Sequence, residues 1–224
     1  MKLSQPIPCS VESIYPVPII LASRSPRRQA LLMQIQIAFE LFDQNIDETV
    51  YHQELAIDYV KRMAHEKAQD AWQRITELKS QINSDTVDIY QQIPLPLLAV
   101  LSADTCIALD NHILGKPEDA KSAESMILSL SGRSHQVMSS VAIATHEGIF
   151  SLTSITDVEF CHLSQGEAER YCQSGEGLDK AGAYAIQGIA AKFIKSIRGS
   201  YSGVVGLPLF ETRLLLDRHF KVDS

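Results

Sequence analysis

The feature that most constrains this chain is a short strand followed directly by a helix. The apolar run 17–21 is typical of a strand, and the apolar residues within 31–35 recur at helical spacing. Between them, Ser25 stands where a helix N-cap belongs, and Pro26 falls at the first helical position, where its missing N–H costs nothing. The segment therefore predicts a strand-to-helix turn, a unit of folds that combine strands and helices.

Two arginines, Arg27 and Arg28, open this helix. Helix N-termini bind anions through free N–H groups and the helix dipole, and guanidinium groups add forked donors that suit phosphate oxygens. The segment is either a phosphate cradle or an exposed helix start with solvated arginines.

Composition excludes several classes of protein. The 224 residues carry a formal net charge of −7, whereas proteins that bind a nucleic-acid backbone usually present a basic face. No run approaches the roughly 18 apolar residues that span a bilayer, so we expect no membrane association. The four cysteines show no metal-type spacing, and we expect reduced thiols in a cytoplasmic protein: Cys9, Cys106, Cys161 and Cys172.

A lysine interrupts the apolar face of a long helix predicted from about Glu54 to Leu78. Lys67 lies seven residues after Val60, almost two turns, and so in the middle of that face. A buried ammonium must find an anionic partner or lose its proton. Lys67 either extends past the edge of the core or points into a cleft that holds an acid or a phosphate.

An acidic residue follows the next apolar run. Residues 95–101 predict a buried strand, and Asp104 is expected at its end, where sheet proteins tend to bind ligands. A carboxylate there can hold Mg²⁺ or Mn²⁺, accept a proton from water, or merely cap a loop. Lys116, which precedes Pro117, can neutralise charge on a phosphate oxygen.

The remaining elements favour an α/β fold (mixed α+β) around a mixed sheet. Two long strands are predicted at 135–144 and 149–160. We expect an N-terminal extension at 1–16 and a single domain at 17–220, with an inserted surface loop at about 79–94.

Together the arginines, Asp104 and the two lysines suit attack of water on a phosphoanhydride, which needs charge neutralisation, a metal and a base. The acidic loop around Asp47 and Glu48 adds candidate metal ligands. These parts suit a nucleoside triphosphate better than a nucleic acid.

The chain resembles the Maf family of septum-formation-inhibitor-like nucleotide pyrophosphatases over nearly its whole length after residue 17. The resemblance rests on ordered motifs along the sequence: Leu21-Ala22-Ser23-x-Ser25-Pro26-Arg27-Arg28, Ile46-Asp47-Glu48-Thr49, Glu66-Lys67-Ala68, Ala103-Asp104-Thr105, Gly115-Lys116-Pro117, Leu130-Ser131-Gly132-Arg133-x-His135-x-Val137, Asp179-Lys180-Ala181-Gly182-Ala183-Tyr184-x-Ile186-Gln187-Gly188, Gly199-Ser200-Tyr201 and Val205-Gly206-Leu207-Pro208-Leu209.

The resemblance implies two lobes around an elongated mixed sheet with flanking helices, as in the inosine triphosphate pyrophosphatases. It also implies a homodimer, a divalent metal (Mg²⁺ or Mn²⁺), and cleavage of a nucleoside triphosphate between the α and β phosphates. Asp104 is the implied base, acting with Lys116, and Asp104 and Glu48 are the implied metal ligands; Glu176 and Asp179 are further candidates. The implied substrate-binding residues are Ser23, Arg27, Arg28, Lys67, Thr105, Lys180 and Gln187.

The block Ala183–Gly188 narrows the implied substrate. Family members that act on dTTP and UTP carry this pattern, whereas those that act on 7-methyl-GTP have Ser-Phe and a Glu near the position of Gln187. The amide of glutamine offers the donor and acceptor that a uracil or thymine edge requires. We expect a pyrophosphatase for dTTP, UTP and modified uridine triphosphates. The alternatives are a pyrophosphatase for 7-methyl-GTP or another modified nucleotide, and a non-catalytic cell-division regulator that binds proteins.

Two residues depart from the family pattern outside the implied site. Gln36 stands where members usually have Gly after the first helix, and Gly203 where they often have Asn.

Overall fold

The computed structural model describes residues 13–80 and 89–222. Seven strands in this part of the chain form one sheet: β1 (Ile19–Leu21), β2 (Phe39–Leu41), β3 (Val100–Leu109), β4 (His112–Leu114), β5 (Ser134–Thr145), β6 (Gly148–Phe160) and β7 (Ile194–Arg198). The helices pack around it: α1 (Pro26–Gln34), α2 (Ala56–Ser80), α3 (Ile89–Gln92), α4 (Ala120–Leu130), α5 (Gln165–Gln173), α6 (Tyr201–Val205) and α7 (Leu209–Phe220), with 3₁₀ turns at Leu95–Leu97, Ala181–Ala183 and Ile189–Phe193.

The sheet is mixed, which confirms the predicted fold class. The strand order is β2-β1-β3-β5-β6-β7, with β4 beside β3. The pairs β1–β2 and β1–β3 are parallel, and the others are antiparallel.

One edge of β3 has a gap that determines where the site lies. On this edge β1 pairs with Leu101 and β4 begins to pair at Ile107, so neither strand covers residues 102–106. The opposite edge of β3 pairs continuously with β5, and Asp104 lies opposite Ser140. The gap opens the middle of the sheet to side chains from the surrounding loops.

Apolar clusters occupy both ends of the long strands, while polar residues occupy the middle. On β3, Leu101 and Ile107 belong to separate clusters, and Ser102, Asp104 and Thr105 lie between them. Burial at the two ends stabilises the sheet, at about 25 cal/mol per Å² of apolar area. The middle is therefore held between two apolar regions.

The structure corrects the predicted position of Asp104. Residues 95–97 form a 3₁₀ turn that contains Pro96, the strand begins at Val100, and Asp104 lies inside β3 rather than after a strand. We interpreted the change from apolar to polar residues as the end of a strand. It marks instead the uncovered part of a strand that continues to Leu109.

Other predictions were partly right. Within the expected surface loop 79–94, Lys79 and Ser80 belong to α2 and residues 89–92 form α3, while 81–88 lie outside the described residues. The Lys79 ammonium donates to the carbonyl of Ile93 at 2.8 Å, which ties the two segments together. The helix expected from about Glu54 to Leu78 runs from Ala56 to Ser80, and Leu78 is exposed.

The described end of the N-terminal extension contacts the body of the protein. The Tyr15 hydroxyl donates to Asp217 at 2.8 Å, and the Tyr15 ring stacks on Phe220. Residues 1–12 lie outside the described part of the chain.

The structure describes three of the four cysteines. Cys106, Cys161 and Cys172 are free thiols, while Cys9 is not among the described residues. None of the helices in the ranges 13–80 and 89–222 is both long and apolar enough to cross a membrane.

Candidate active site

The gap in the sheet opens into a cavity of about 610 Å³. Nine of the ten side chains expected at the site line it, from six separate parts of the chain: Arg27, Arg28, Glu48, Lys67, Asp104, Thr105, Lys116, Lys180 and Gln187. The tenth, Ser23, is buried behind this lining. The structure thus brings together residues that lie up to 160 positions apart.

Lys67 joins two carboxylates at the centre of the cavity. Its ammonium nitrogen lies 2.7 Å from Asp104 Oδ1 and 2.6 Å from Glu48 Oε1, and the residue is only 4% exposed. Of the two interpretations of this lysine, the one that places it in a cleft with an acid is confirmed.

Cations around Glu48 determine its ionisation. Burial by itself would raise the pKa of Glu48, but the hydrogen bond and charge of Lys67, with the charges of Lys116 and Arg28, lower that pKa below its usual value. The Glu48 carboxylate is therefore ionised at neutral pH and available as a ligand.

Arg28 is fixed at the start of α1. Its Nε donates to the Gly206 carbonyl at 2.8 Å, and its Nη1 donates to Ser23 Oγ at 3.1 Å. Burial lowers the pKa of Arg28, and Asp104 partly opposes that effect. Ser23 thus orients the guanidinium group. Ser25 is the N-cap residue as predicted, but its side chain makes no capping hydrogen bond.

The opposite end of the cavity is more open. Gln187 is exposed there, and Lys180 is held by the Glu176 carbonyl at 2.7 Å and by an ion pair with Asp179. Lys116 is also exposed, but its charge acts on Glu48. The hydrogen bond from Lys180 lowers the pKa of Asp179. The Thr105 hydroxyl lies 2.8 Å from Ser139 Oγ, which anchors it to β5.

The candidate ligand Glu176 does not line the cavity. Its carboxylate accepts hydrogen bonds from the backbone N–H groups of Ile189 and Ala190 and from the Tyr171 hydroxyl. Glu176 therefore stabilises the loop that follows Gln187. Asp179 does line the cavity.

Sequence reasoning did not identify the support beneath Gln187. Tyr184 lines the cavity, and its hydroxyl lies 2.7 Å from Nε2 of the buried His135. Burial lowers the pKa of His135 to about 4, so the ring is neutral at pH 7. Both residues belong to the quoted motifs, but a motif does not reveal that they touch.

Among the described residues, no group of three or more His, Cys, Asp or Glu side chains is arranged to hold a metal ion. Two carboxylates, Glu48 and Asp104, do come together, each bonded to the ammonium nitrogen of Lys67. Mg²⁺ is usually bound by one or two carboxylates and completed by substrate phosphates and water, so this pair fits such an ion.

These features define the class of site. Several cations surround an acid in one cavity at the middle of a mixed sheet, and two carboxylates meet in it. That arrangement suits an anionic substrate that carries several phosphates and has a phosphoanhydride bond that water can hydrolyse.

Comparison with known proteins agrees with this class. The model of the family described as Maf-like protein matches residues 18–219, so the chain belongs to the Maf family. A dTTP/UTP pyrophosphatase of Chromobacterium violaceum is 46% identical over 198 residues, which cover 88% of this chain and 92% of that protein. A dTTP/UTP pyrophosphatase of Nitrosomonas europaea is 47% identical over 208 residues, 89% and 93% of the two chains.

A crystal structure of a nucleoside-triphosphatase / dITP/XTP pyrophosphatase from Mycobacterium abscessus is a more distant match. It covers 91% of this chain and 95% of its own, with 16% sequence identity and a TM-score of 0.44.

Proposed function

We propose that this chain hydrolyses dTTP, UTP and modified uridine triphosphates to the nucleoside monophosphate and pyrophosphate. The observation that carries the proposal is the contact of Asp104 with Lys67 inside a cavity lined by Arg27, Arg28 and Lys116. Relatives at 42–47% identity that are named dTTP/UTP pyrophosphatases support it.

Asp104 is the general base in this proposal. It accepts a proton from the water that attacks phosphorus. The water oxygen bonds to phosphorus, one phosphorus–oxygen bond of the bridge between the α and β phosphates breaks, and pyrophosphate leaves. Lys67 lies 2.7 Å from Asp104 Oδ1, and this charged hydrogen bond orients the carboxylate. Arg27, Arg28 and Lys116 neutralise the charge that builds on the phosphate oxygens.

Glu48 and Asp104 would hold a divalent ion, Mg²⁺ or Mn²⁺, together with oxygens of the substrate. When bound, such an ion withdraws charge from the phosphate oxygens. Lys67 bonds to both carboxylates, so the pair is brought together before substrate arrives.

Gln187 and Lys180 would recognise the nucleotide at the open end of the cavity, and Thr105 would contact it from beside Asp104. The amide of Gln187 can donate to a base carbonyl and accept from a base N–H, which uracil and thymine both present. The aromatic support from Tyr184 and His135 favours a defined position for this loop.

We further propose a cytoplasmic homodimer. The three free cysteines in the described ranges support a reducing compartment. Light scattering on the purified protein measures the mass of the assembly.

A substrate panel tests the proposal. The protein is incubated with Mg²⁺ or Mn²⁺ and dTTP, UTP, CTP, GTP or 7-methyl-GTP, and the products are separated by chromatography. We expect monophosphate and pyrophosphate from dTTP and UTP. In D104N, which keeps the shape of the side chain, kcat should fall about 100- to 10,000-fold, the usual contribution of a general base.

Turnover of 7-methyl-GTP alone would contradict the specificity but not the class. If D104N retained nearly full turnover, the assignment of the base would be wrong. Absence of all turnover would favour the protein-binding alternative.

A further inference from the structure

Glu48 reaches the centre of the cavity from a loop. The segment 42–55 connects β2 to α2 without regular secondary structure. The side chain of Glu48 is 50% exposed, yet its Oε1 lies 2.6 Å from the nitrogen of Lys67. The contact therefore depends on whatever fixes the loop against α2.

Arg62, which does not line the cavity, fixes this loop from behind. Its Nε and Nη2 donate to the two carboxylate oxygens of Glu54 at 2.6 and 2.7 Å, and Nη2 also donates to the Thr49 carbonyl at 3.0 Å. A two-point contact of this kind is strong and directional. Arg62 thus bonds to Thr49, the residue after Glu48, and to Glu54, which lies just before α2 begins.

The surroundings of Arg62 strengthen these contacts. Its guanidinium carbon lies 3.8 Å from the centre of the Tyr51 ring, and the side chains of Arg62 and Glu54 are 16% and 9% exposed. Limited access of water makes charged hydrogen bonds stronger than at the open surface. The hydrogen bond from Arg62 lowers the pKa of Glu54, so the ion pair persists at neutral pH.

Tyr59 adds a bond to Glu48 itself. Its hydroxyl donates to the Glu48 carbonyl at 3.2 Å. Tyr59, Arg62 and Lys67 all belong to α2. One helix therefore binds the side chain of Glu48 through Lys67 and the adjoining backbone through Tyr59 and Arg62.

We propose that Arg62 is a positioning residue that holds Glu48 against Lys67, and so sets how well the two carboxylates of the site act together. The inference rests on the proposed function for its consequence in catalysis. Its structural part, the fixing of residues 44–55, is independent of any activity.

The test compares three variants with a matched control. R62M removes every donor, R62K keeps the charge without the two-point contact, and Y59F removes only the hydroxyl. The control R213M removes an arginine of α7 whose Nε bonds to Asp217 at 2.8 Å, in an element that lines no part of the cavity.

Hydrogen exchange of the backbone amides, followed by mass spectrometry, reports on the loop without substrate. In R62M the exchange of residues 44–55 should accelerate about tenfold. A change of this order corresponds to the free energy of one or two hydrogen bonds to a charged group. R62K should lie between R62M and the original protein, Y59F should show a smaller change in the same direction, and R213M none.

The Mn²⁺ concentration for half-maximal hydrolysis of UTP is the second readout. It should rise about tenfold in R62M, while kcat at saturating Mn²⁺ stays within about threefold because Asp104 and Lys67 are untouched. Electron paramagnetic resonance of Mn²⁺ without nucleotide should show weaker binding in R62M than in R213M.

Three outcomes would overturn the inference. One is unchanged exchange in 44–55 in R62M, and another is exchange that rises equally over β3 and β5, which would mean general destabilisation. The third is unchanged Mn²⁺ dependence in a variant whose loop has loosened. If no variant hydrolyses any nucleotide but the loop still loosens, the structural part holds and the proposed function fails.

Discussion

The two ends of the cavity differ in how firmly their charges are held. At the Lys67 end, Lys67 is 4% exposed between two carboxylates, and Arg28 is bonded to Gly206 and Ser23. At the Gln187 end, Gln187 is exposed. Groups fixed before the substrate arrives stabilise a transition state without reorganisation, whereas exposed groups can adapt to the shape of a ligand.

This difference predicts an asymmetry between the effects of substitutions. Changes at the Lys67 end should lower kcat for every nucleotide that the protein accepts. Changes at the Gln187 end should alter the preference between nucleotides, mainly through KM.

After Asp104, Lys67 should give the largest effect. In K67M the stem of the side chain remains, but Glu48 and Asp104 lose the ammonium that they share. We expect kcat to fall about 100- to 1,000-fold for dTTP and UTP alike, the usual cost of a lost electrostatic group.

The control for this change is K61M, which alters an exposed lysine of the same helix. It should keep normal kinetics. A loss in K67M restricted to one nucleotide would contradict the division between the two ends.

Gln187 should change selectivity. In Q187E the donor of the amide is replaced by an ionised oxygen, which repels a base carbonyl. We expect kcat/KM for UTP to fall about 10- to 100-fold, with most of the change in KM. The exposed Gln173 of α5 supplies the control, since Q173E adds the same charge away from the cavity. Equal losses for every nucleotide, all in kcat, would show that both ends serve the chemical step.

The sequence predicted the Lys67 end better than its surroundings. Helical spacing alone placed Lys67 on a buried face, and the strand-to-helix turn placed Arg28 at a helix start, because both arguments use local periodicity. The expected position of Asp104, at a strand end, was wrong. Pairing along the edge of a sheet joins distant segments, so no local pattern shows where a strand loses its neighbour. The contacts of Arg62 with Glu54 and of His135 with Tyr184 also join separate segments, and no spacing reveals them.

The exposed Gln187 end also contains buried residues, since His135 contacts the Tyr184 hydroxyl beneath the cavity surface. The pKa of His135 falls from 6.5 in the unfolded chain to about 4 in the folded protein, because burial disfavours the charged ring. The unfolded state therefore binds more protons between pH 6.5 and pH 4, and stability declines as pH falls through this range. We expect a loss of about 2 kcal/mol from this residue between pH 7.5 and pH 5.

Urea unfolding at both pH values measures this loss. In H135Q, which cannot titrate, the decline should be smaller than in the original protein by about that amount. H112Q changes an exposed histidine of β4 and should retain the full decline. An identical pH dependence in H135Q and the original protein would mean that His135 is not kept neutral by burial.

Gln36 should give the smallest effect, and one that involves neither end. It follows α1 with φ at +57°, a left-handed conformation that costs a residue with a side chain about 1–2 kcal/mol. Glycine adopts this conformation freely but loses more entropy on folding. Q36G should therefore stabilise the protein by about 0.5–1 kcal/mol in urea unfolding, and leave kcat and KM unchanged.

The matched control for Gln36 is two residues away. Gln34 is the last residue of α1, where glycine lacks any such benefit, so Q34G should destabilise the protein by up to about 1 kcal/mol. The opposite signs of the two changes separate relief of backbone strain from a general effect of glycine. Destabilisation by both would mean that the left-handed turn at Gln36 carries no strain. A change in kcat for Q36G would instead mean that the conformation after α1 affects Arg28 at the start of that helix. Residues outside the cavity would then contribute to how the Lys67 end is held.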